Sequence, residues 1–305
     1  MSFVTRYLEP ALVERLNHLQ LSARSVVEGS ITGQHRSPVK GASVEFRQHR
    51  FYTPGDDPRR LDWRVLGRTD RPYIKEYDEE TNLRCMLMLD CSGSMSYGAA
   101  RPGRDGQDAN SKFDYGARVI ASLAYLMLGQ TESVGLAMCG ASVEQWIAPR
   151  AGTAQLARII DALERGTPRG EAKLGQAMQQ VADRLDKRSL VVAVTDAFLP
   201  AQVLRAGLAR LRHDRHETIL FQVLDGAEVE FPFRTWSRFR GMEGEPAQLC
   251  EPALVRKVYL ENFRRHSQDL HDICRMLGVE FYSFVTEKPL IDTITAFLQR
   301  RNAAI

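Results

Sequence analysis

Apolar and polar positions along this chain fall into two alternating patterns. LRCMLMLD (83–90), ESVGLAMCG (132–140), SLVVAVTD (189–196), TILFQVLD (218–225) and VEFYSFVT (279–286) are short, nearly continuous apolar runs. Such runs are expected of strands buried on both faces of a parallel sheet. Between them, FDYGARVIASLAYLMLGQ, TAQLARIIDALE, LGQAMQQVADRL and the stretch from Pro200 to Arg212 space their apolar residues as helices packed on one face do. VEQWIAP (143–149) reads as a hairpin partner of the run before it. The alternation predicts an α/β protein built on a doubly wound, mostly parallel, Rossmann-like sheet.

Three regions depart from that rhythm. Residues 8–30 carry Leu12, Leu16, Leu19 and Leu21 at near-helical spacing, which predicts a short amphipathic helix or two. Residues 31–82 are rich in Arg, Gly, Pro and aromatics, and hold ten Lys/Arg against five Asp/Glu between Arg36 and Lys75. Residues 226–252 (VEFPF, SRFRG) predict a small β insertion. A long helix over 253–277 is expected next, its inner stripe including Leu254, Val258, Leu270, Ile273 and Leu277. PLIDTITAFLQRR closes the chain as a helix with Pro289 near its first turn. The organisation expected is an N-terminal helix plus basic signature segment over 1–82 and an α/β domain over 83–305.

Composition narrows the classes. The 305 residues carry a formal charge of +3, too little for a general polyanion binder. The five cysteines form no C-x-x-C pair, so neither a zinc site nor a disulfide framework is signalled. The N-terminus lacks the apolar core of a signal peptide, and the longest apolar stretch, around Val119–Leu128, is far short of a membrane span. A cytoplasmic protein is the expectation. The basic 36–75 segment, with Phe46, Phe51, Tyr52 and Trp63 interleaved, keeps nucleic-acid binding as an alternative, although acids nearby argue against it.

The chemistry gathers at two strand ends. In an open parallel sheet, ligands collect beyond the carboxyl ends of strands at the point where the winding reverses. Two runs end there in an acid, Asp90 and Asp196. Asp90-x-Ser92-x-Ser94 offers oxygens from alternate residues of one loop, which suits a hard ion such as magnesium. The same loop equally suits plain turn and helix-capping chemistry. A metal held by one or two carboxylates and two hydroxyls stays electrophilic but is given no base, which favours docking over hydrolysis. A metal-dependent phosphoester hydrolase is the alternative, with Asp225 at the next strand end as a third acid. Neither G-x-S-x-G nor a phosphate-cradling G-x-x-x-x-G-K occurs. His213, His216, His266 and His271 read as solvated or helix-face side chains.

FYTPGDDPRRLDWRVLGRTDRPYIKEYDEE (51–80) resembles the signature of the bacterial domain-of-unknown-function 58 family. The matching positions are Tyr52, Pro54, Gly55, Asp56, Asp57, Arg59, Asp62 and Trp63, followed by Arg68 and Glu76. The likeness continues through DCSGSM, KFDYGARVIASLAYL and the C-terminal YLENFRRH and LGVEFYSFVTEKPL. It implies a von Willebrand factor A-like core with a metal-ion-dependent adhesion site. Asp90, Ser92, Ser94 and Asp196 match that motif. It also implies partnership with a MoxR-type AAA+ ATPase. The family's threonine and acid are here Ala172 and Lys173. Three outcomes follow: a weakly held metal, a Lys173 that points away, or a Lys173 that replaces the metal by pairing with Asp90 and Asp196. GDDPRRLDW itself has two readings. It is a structural turn, with Asp56 or Asp57 capping it, Arg59 pairing Asp62 and Trp63 buried, or else a docking surface anchored by Arg and Trp. The loop at 96–112, with Arg101 and Arg104, borders the crevice as a surface insertion.

Overall fold

The computed structural model describes residues 6–8, 10–19, 21, 45–53, 56, 61–78, 83–98 and 111–303. In chain order the elements begin with α1 (Pro10–Leu16), β1 (Glu45–Phe51), α2 (Trp63–Thr69) and β2 (Tyr73–Asp78). Next come β3 (Arg84–Asp90), α3 (Lys112–Gly129), β4 (Ser133–Cys139), β5 (Val143–Arg150), α4 (Thr153–Arg165) and α5 (Leu174–Arg184). β6 (Leu190–Thr195), α6 (Ala201–His213), β7 (Glu217–Leu224) and α7 (Gly226–Glu230) follow. The chain ends with β8 (Ser237–Phe239), β9 (Gln248–Cys250), α8 (Pro252–Leu277), β10 (Glu280–Val285) and α9 (Leu290–Ala303).

Two compact units result, residues 1–22 with 83–305 and residues 23–82. The larger is a six-stranded sheet ordered β10-β7-β6-β3-β4-β5, with every neighbouring pair parallel except β4 with β5. This is the expected doubly wound α/β architecture, with β5 as the hairpin return. Successive strand residues point to opposite faces, and β3 sorts its side chains accordingly. Cys85, Leu87 and Leu89 pack with α1, α3, α4 and α9, whereas Met86 and Met88 pack with α5, α6 and the C-terminal half of α8. The apolar runs are continuous because both faces of the sheet are covered.

Three expectations need redrawing. Leu8, Leu12 and Leu16 are buried in the core, so the N-terminal helix belongs with the α/β body rather than with the signature segment. The 226–252 excursion opens with a helical turn, α7, before its β8–β9 hairpin. In α8, Leu270 and Ile273 are buried as expected, but Leu254 and Val258 are 76% and 57% exposed. The helix is longer than the body it packs on, so its N-terminal half leaves the core.

The smaller unit is an antiparallel β1–β2 pair, running from Glu45 opposite Asp78 to Phe51 opposite Tyr73, with α2 in the connection. Asp56 accepts from Arg50 at 2.8 Å and from the Thr53 N–H at 2.8 Å, which closes the turn. The hydrogen bond from Arg50, followed by those from Thr53, holds the Asp56 carboxyl well below the usual carboxylate range. Asp62 is the N-cap of α2, accepting from the Arg64 and Val65 N–H groups. Trp63 is 67% exposed, which corrects its expected burial. It occupies the first position of α2 rather than a core-facing one. Asp57 and Arg59 lie outside the described residues, as do Arg101 and Arg104.

The placement of α1 has a measurable consequence. Leu16→Ala empties a fully buried site, so the mutant is expected to lose about 2–5 kcal/mol of stability, read as a lowered urea midpoint. An unchanged midpoint would separate α1 from the core.

Candidate functional site

β3 and β6 are adjacent and parallel, and the chain leaves them in opposite directions across the sheet, so the winding reverses between them. Asp90 ends β3 and Asp196 follows β6, both 1% exposed. The structure brings these two acids together as expected. Thr195 donates its hydroxyl to Asp90 Oδ2 at 2.6 Å and accepts the Ala197 N–H at 2.9 Å. Ala197 takes a left-handed φ of 56°, which turns the chain sharply after Asp196. The Ser92 N–H donates to Asp90 Oδ1 at 2.9 Å, and the Ser92 and Ser94 hydroxyls lie 3.1 Å apart. Burial and then the neighbouring Asp196 charge push the Asp90 carboxyl upward.

The cation in this crevice is Lys112. Its ammonium, 0% exposed, lies 2.7 Å from Asp196 Oδ2 and 2.7 Å from Glu228 Oε1. The Phe198 and Tyr97 rings lie 4.7 Å and 5.8 Å from it. Burial alone would lower the Lys112 pKa, but the Asp196 and Glu228 carboxylates outweigh it and raise it. At Glu228 burial outweighs the ammonium and the carboxyl is raised. Both shifts are upward but favour opposite charge states: two acids hold Lys112 charged, while burial and the nearby Asp196 favour the protonated form of Glu228 despite the ammonium.

Sequence reasoning missed both partners. Lys112 falls at the end of the 96–112 loop that the sequence pattern predicts, yet it is the first residue of α3, whose N-cap is Ser111, accepting from the Asp114 N–H. A lysine in the first turn opposes the helix dipole, so S-K-F-D was a legible anomaly that calls for an external acid. Among acids, Asp225 is the third member only in the hydrolase alternative. It instead caps α7, accepting the Ala227 N–H at 2.8 Å, and Glu228 three residues later reaches the crevice. The Glu228 carboxylate spans both tasks, since its other oxygen accepts the Asp225 N–H at 2.9 Å. Lys173 is exposed and, among the described residues, pairs with neither Asp90 nor Asp196.

The insertion also reaches this region. Ala172 donates its N–H to Glu243 Oε2 at 3.2 Å, and Glu243 lies between β8 and β9. Gly93 abuts the same segment: a Cβ there would fall 2.1 Å from the Met242 carbonyl oxygen. The crevice loop and the hairpin tip are thus in direct contact.

A divalent ion can be tested against these donors. Both oxygens of Asp90 and both of Asp196 already accept hydrogen bonds, from Ser92, Thr195, Phe198 and Lys112. Ala172 adds no side-chain oxygen, and a buried ammonium already occupies Asp196 Oδ2. Among the described residues no group of three or more His, Cys, Asp or Glu is arranged to hold a metal. The set therefore does not fit a resident divalent ion, because a second cation here would meet the Lys112 charge.

The class defined so far is an open-sheet α/β protein with a buried acidic crevice at its switch point that one internal lysine partly neutralises. The chain belongs to the family described as "Protein of unknown function DUF58", whose model matches residues 48–269. Uncharacterized proteins of Mycobacterium tuberculosis and Mycobacterium bovis are each 24% identical to it over 310 residues, covering 97% of this chain and 92% of theirs. Among solved structures, a von Willebrand factor type A protein from Catenulispora acidiphila is 12% identical with a TM-score of 0.41, covering 75% of this chain and 43% of that one. BatB, a conserved hypothetical protein from Bacteroides thetaiotaomicron, is 11% identical with a TM-score of 0.43, covering 72% and 98%. No described helix is long and apolar enough to cross a membrane.

Two measurements check the site. Lys112→Met orphans two acids and is expected to cost about 3–5 kcal/mol near neutral pH. That loss should shrink as the solution is acidified, because burial already raises the Glu228 carboxyl and its protonated form no longer needs the ammonium. Calorimetry with magnesium or manganese on the wild-type chain should give no saturable heat, and a saturable isotherm would restore a metal to the crevice.

Proposed function

We propose that this protein is a non-enzymatic interaction module whose crevice rim receives an acidic side chain from a partner protein. The observation that supports this reading is Glu243. A carboxylate of the chain itself is already held at the rim, where the Ala172 N–H donates to it at 3.2 Å. Beside it stands Lys173, exposed and without an ion pair among the described residues, in the place to meet an incoming acid. The crevice floor supplies rigidity. Asp90, Asp196 and Glu228 are each tied to named donors, which supports a structural role for the floor. That commitment favours docking over phosphoester hydrolysis.

The resemblance of the chain to its family suggests the kind of partner, a MoxR-type AAA+ ATPase acting in the maturation of another protein or complex. In this reading Ser94 and Lys173 contact the partner's acid, and Glu243 competes with it for the Ala172 N–H. Magnesium has no part in the docking.

The test is an affinity measurement between the full chain and a purified MoxR-type ATPase. Lys173→Glu should weaken binding by about tenfold or more, since it turns an attractive rim charge repulsive. Glu243→Ala should strengthen binding severalfold by removing the internal competitor. Equal affinity for wild type and both variants would move the interface away from the crevice.

A further inference from the structure

The stretch Val229–Arg234 and the N-terminal half of α8 enclose a groove of about 840 Å³ that the crevice does not use. Its apolar lining includes Phe231, Phe233, Leu260 and Phe263, and its cationic lining includes Arg234 and Arg264. The groove is a built feature rather than a gap between loose side chains. Phe231 holds a left-handed φ of 46°, a strained setting for a bulky residue. Arg256 holds it there, donating to the Phe231 carbonyl at 3.3 Å and the Glu230 carbonyl at 3.0 Å. Packing adds to the restraint: the Phe231 ring lies 4.6 Å from Tyr259 and 5.1 Å from Phe233, and Phe233 lies 5.1 Å from Phe239.

Length and charge indicate the occupant. The α8 wall runs from Ala253 to Arg264, about 16 Å at the helical rise per residue. That matches about five residues of extended chain. Glu230 is the single acid along a lining that also holds Arg234, Arg256 and Arg264. Arg256 is spent on the two carbonyls. Among the described residues Arg234 and Arg264 have no ion-pair partner, so two unpaired guanidinium groups line an aromatic groove that holds a single acid.

We propose that this groove docks a short extended segment of a partner protein in which acidic residues flank an aromatic or aliphatic anchor. The anchor rests on Phe231, Phe233 and Phe263, while the acids pair with Arg234 and Arg264, whose planar forks suit carboxylates. This is a second surface, distinct from the crevice rim, and it does not depend on the rim reading.

The test pans the full-length protein against a random dodecapeptide library, then measures the enriched peptides by fluorescence polarisation. The expected peptides carry at least two acids around an aromatic or aliphatic residue. Arg234→Glu combined with Arg264→Glu should lower their affinity by about tenfold or more, and Lys173→Glu should leave it unchanged. Both arginines are exposed, and an unaltered thermal melt confirms that the double variant folds. Enriched peptides without acids, or equal binding by the double variant, would overturn the proposal. So would loss of binding in Lys173→Glu, which would assign the peptides to the crevice rim instead.

Discussion

One ammonium shared between two carboxylates organises this molecule. Lys112 begins α3, Asp196 follows β6, and Glu228 sits in α7, so a single buried side chain ties three segments distant in sequence. Each group would be expensive to bury alone. Together they offset part of that desolvation, fully for Lys112 and incompletely for Glu228, with the Phe198 and Tyr97 rings near the ammonium. Glu228 passes the constraint onward, because its second oxygen holds the start of α7 and its carbonyl accepts the Tyr259 hydroxyl at 2.9 Å. The position of α7 in turn sets Phe231 and one wall of the groove against α8.

The same arrangement decides what the crevice can do. A pair of adjacent buried acids normally invites a cation, and here the cation is covalently part of the chain. With Asp196 paired to Lys112 and Asp90 held by Ser92 and Thr195, the proposed docking surface is the rim, with a hydroxyl, a backbone N–H and an exposed lysine. The hairpin insertion that reaches the rim also begins at α7, so the crevice and the groove share a structural border.

Some of this was legible before the fold was known. Runs such as LRCMLMLD and SLVVAVTD declare strands covered on both faces, and their terminal acids mark the switch-point edge. Periodicity was less reliable where a helix outruns its support. It put Leu254 and Val258 of α8 on an inner face, but that half of the helix packs through Tyr259 and Phe263 on Phe231 and Phe198, and the two residues stay exposed. Trp63 failed for a related reason: aromatic character predicts burial, whereas its place at the first position of α2 leaves it exposed.

The chain's own pattern determined the α/β class, the order of strands and helices, and the meeting of Asp90 with Asp196, because these follow from local periodicity and from general rules of winding. Which cation answers those acids was decided only in three dimensions. Lys112 and Lys173 are equally charged in sequence, and Lys173 lies nearer the position the family motif draws attention to. The packing of α3 under the Phe198 and Tyr97 rings buries Lys112, whereas Lys173 is left in solvent at the start of α5. Pairing strength depends on burial and distance, and neither is written in a one-dimensional pattern.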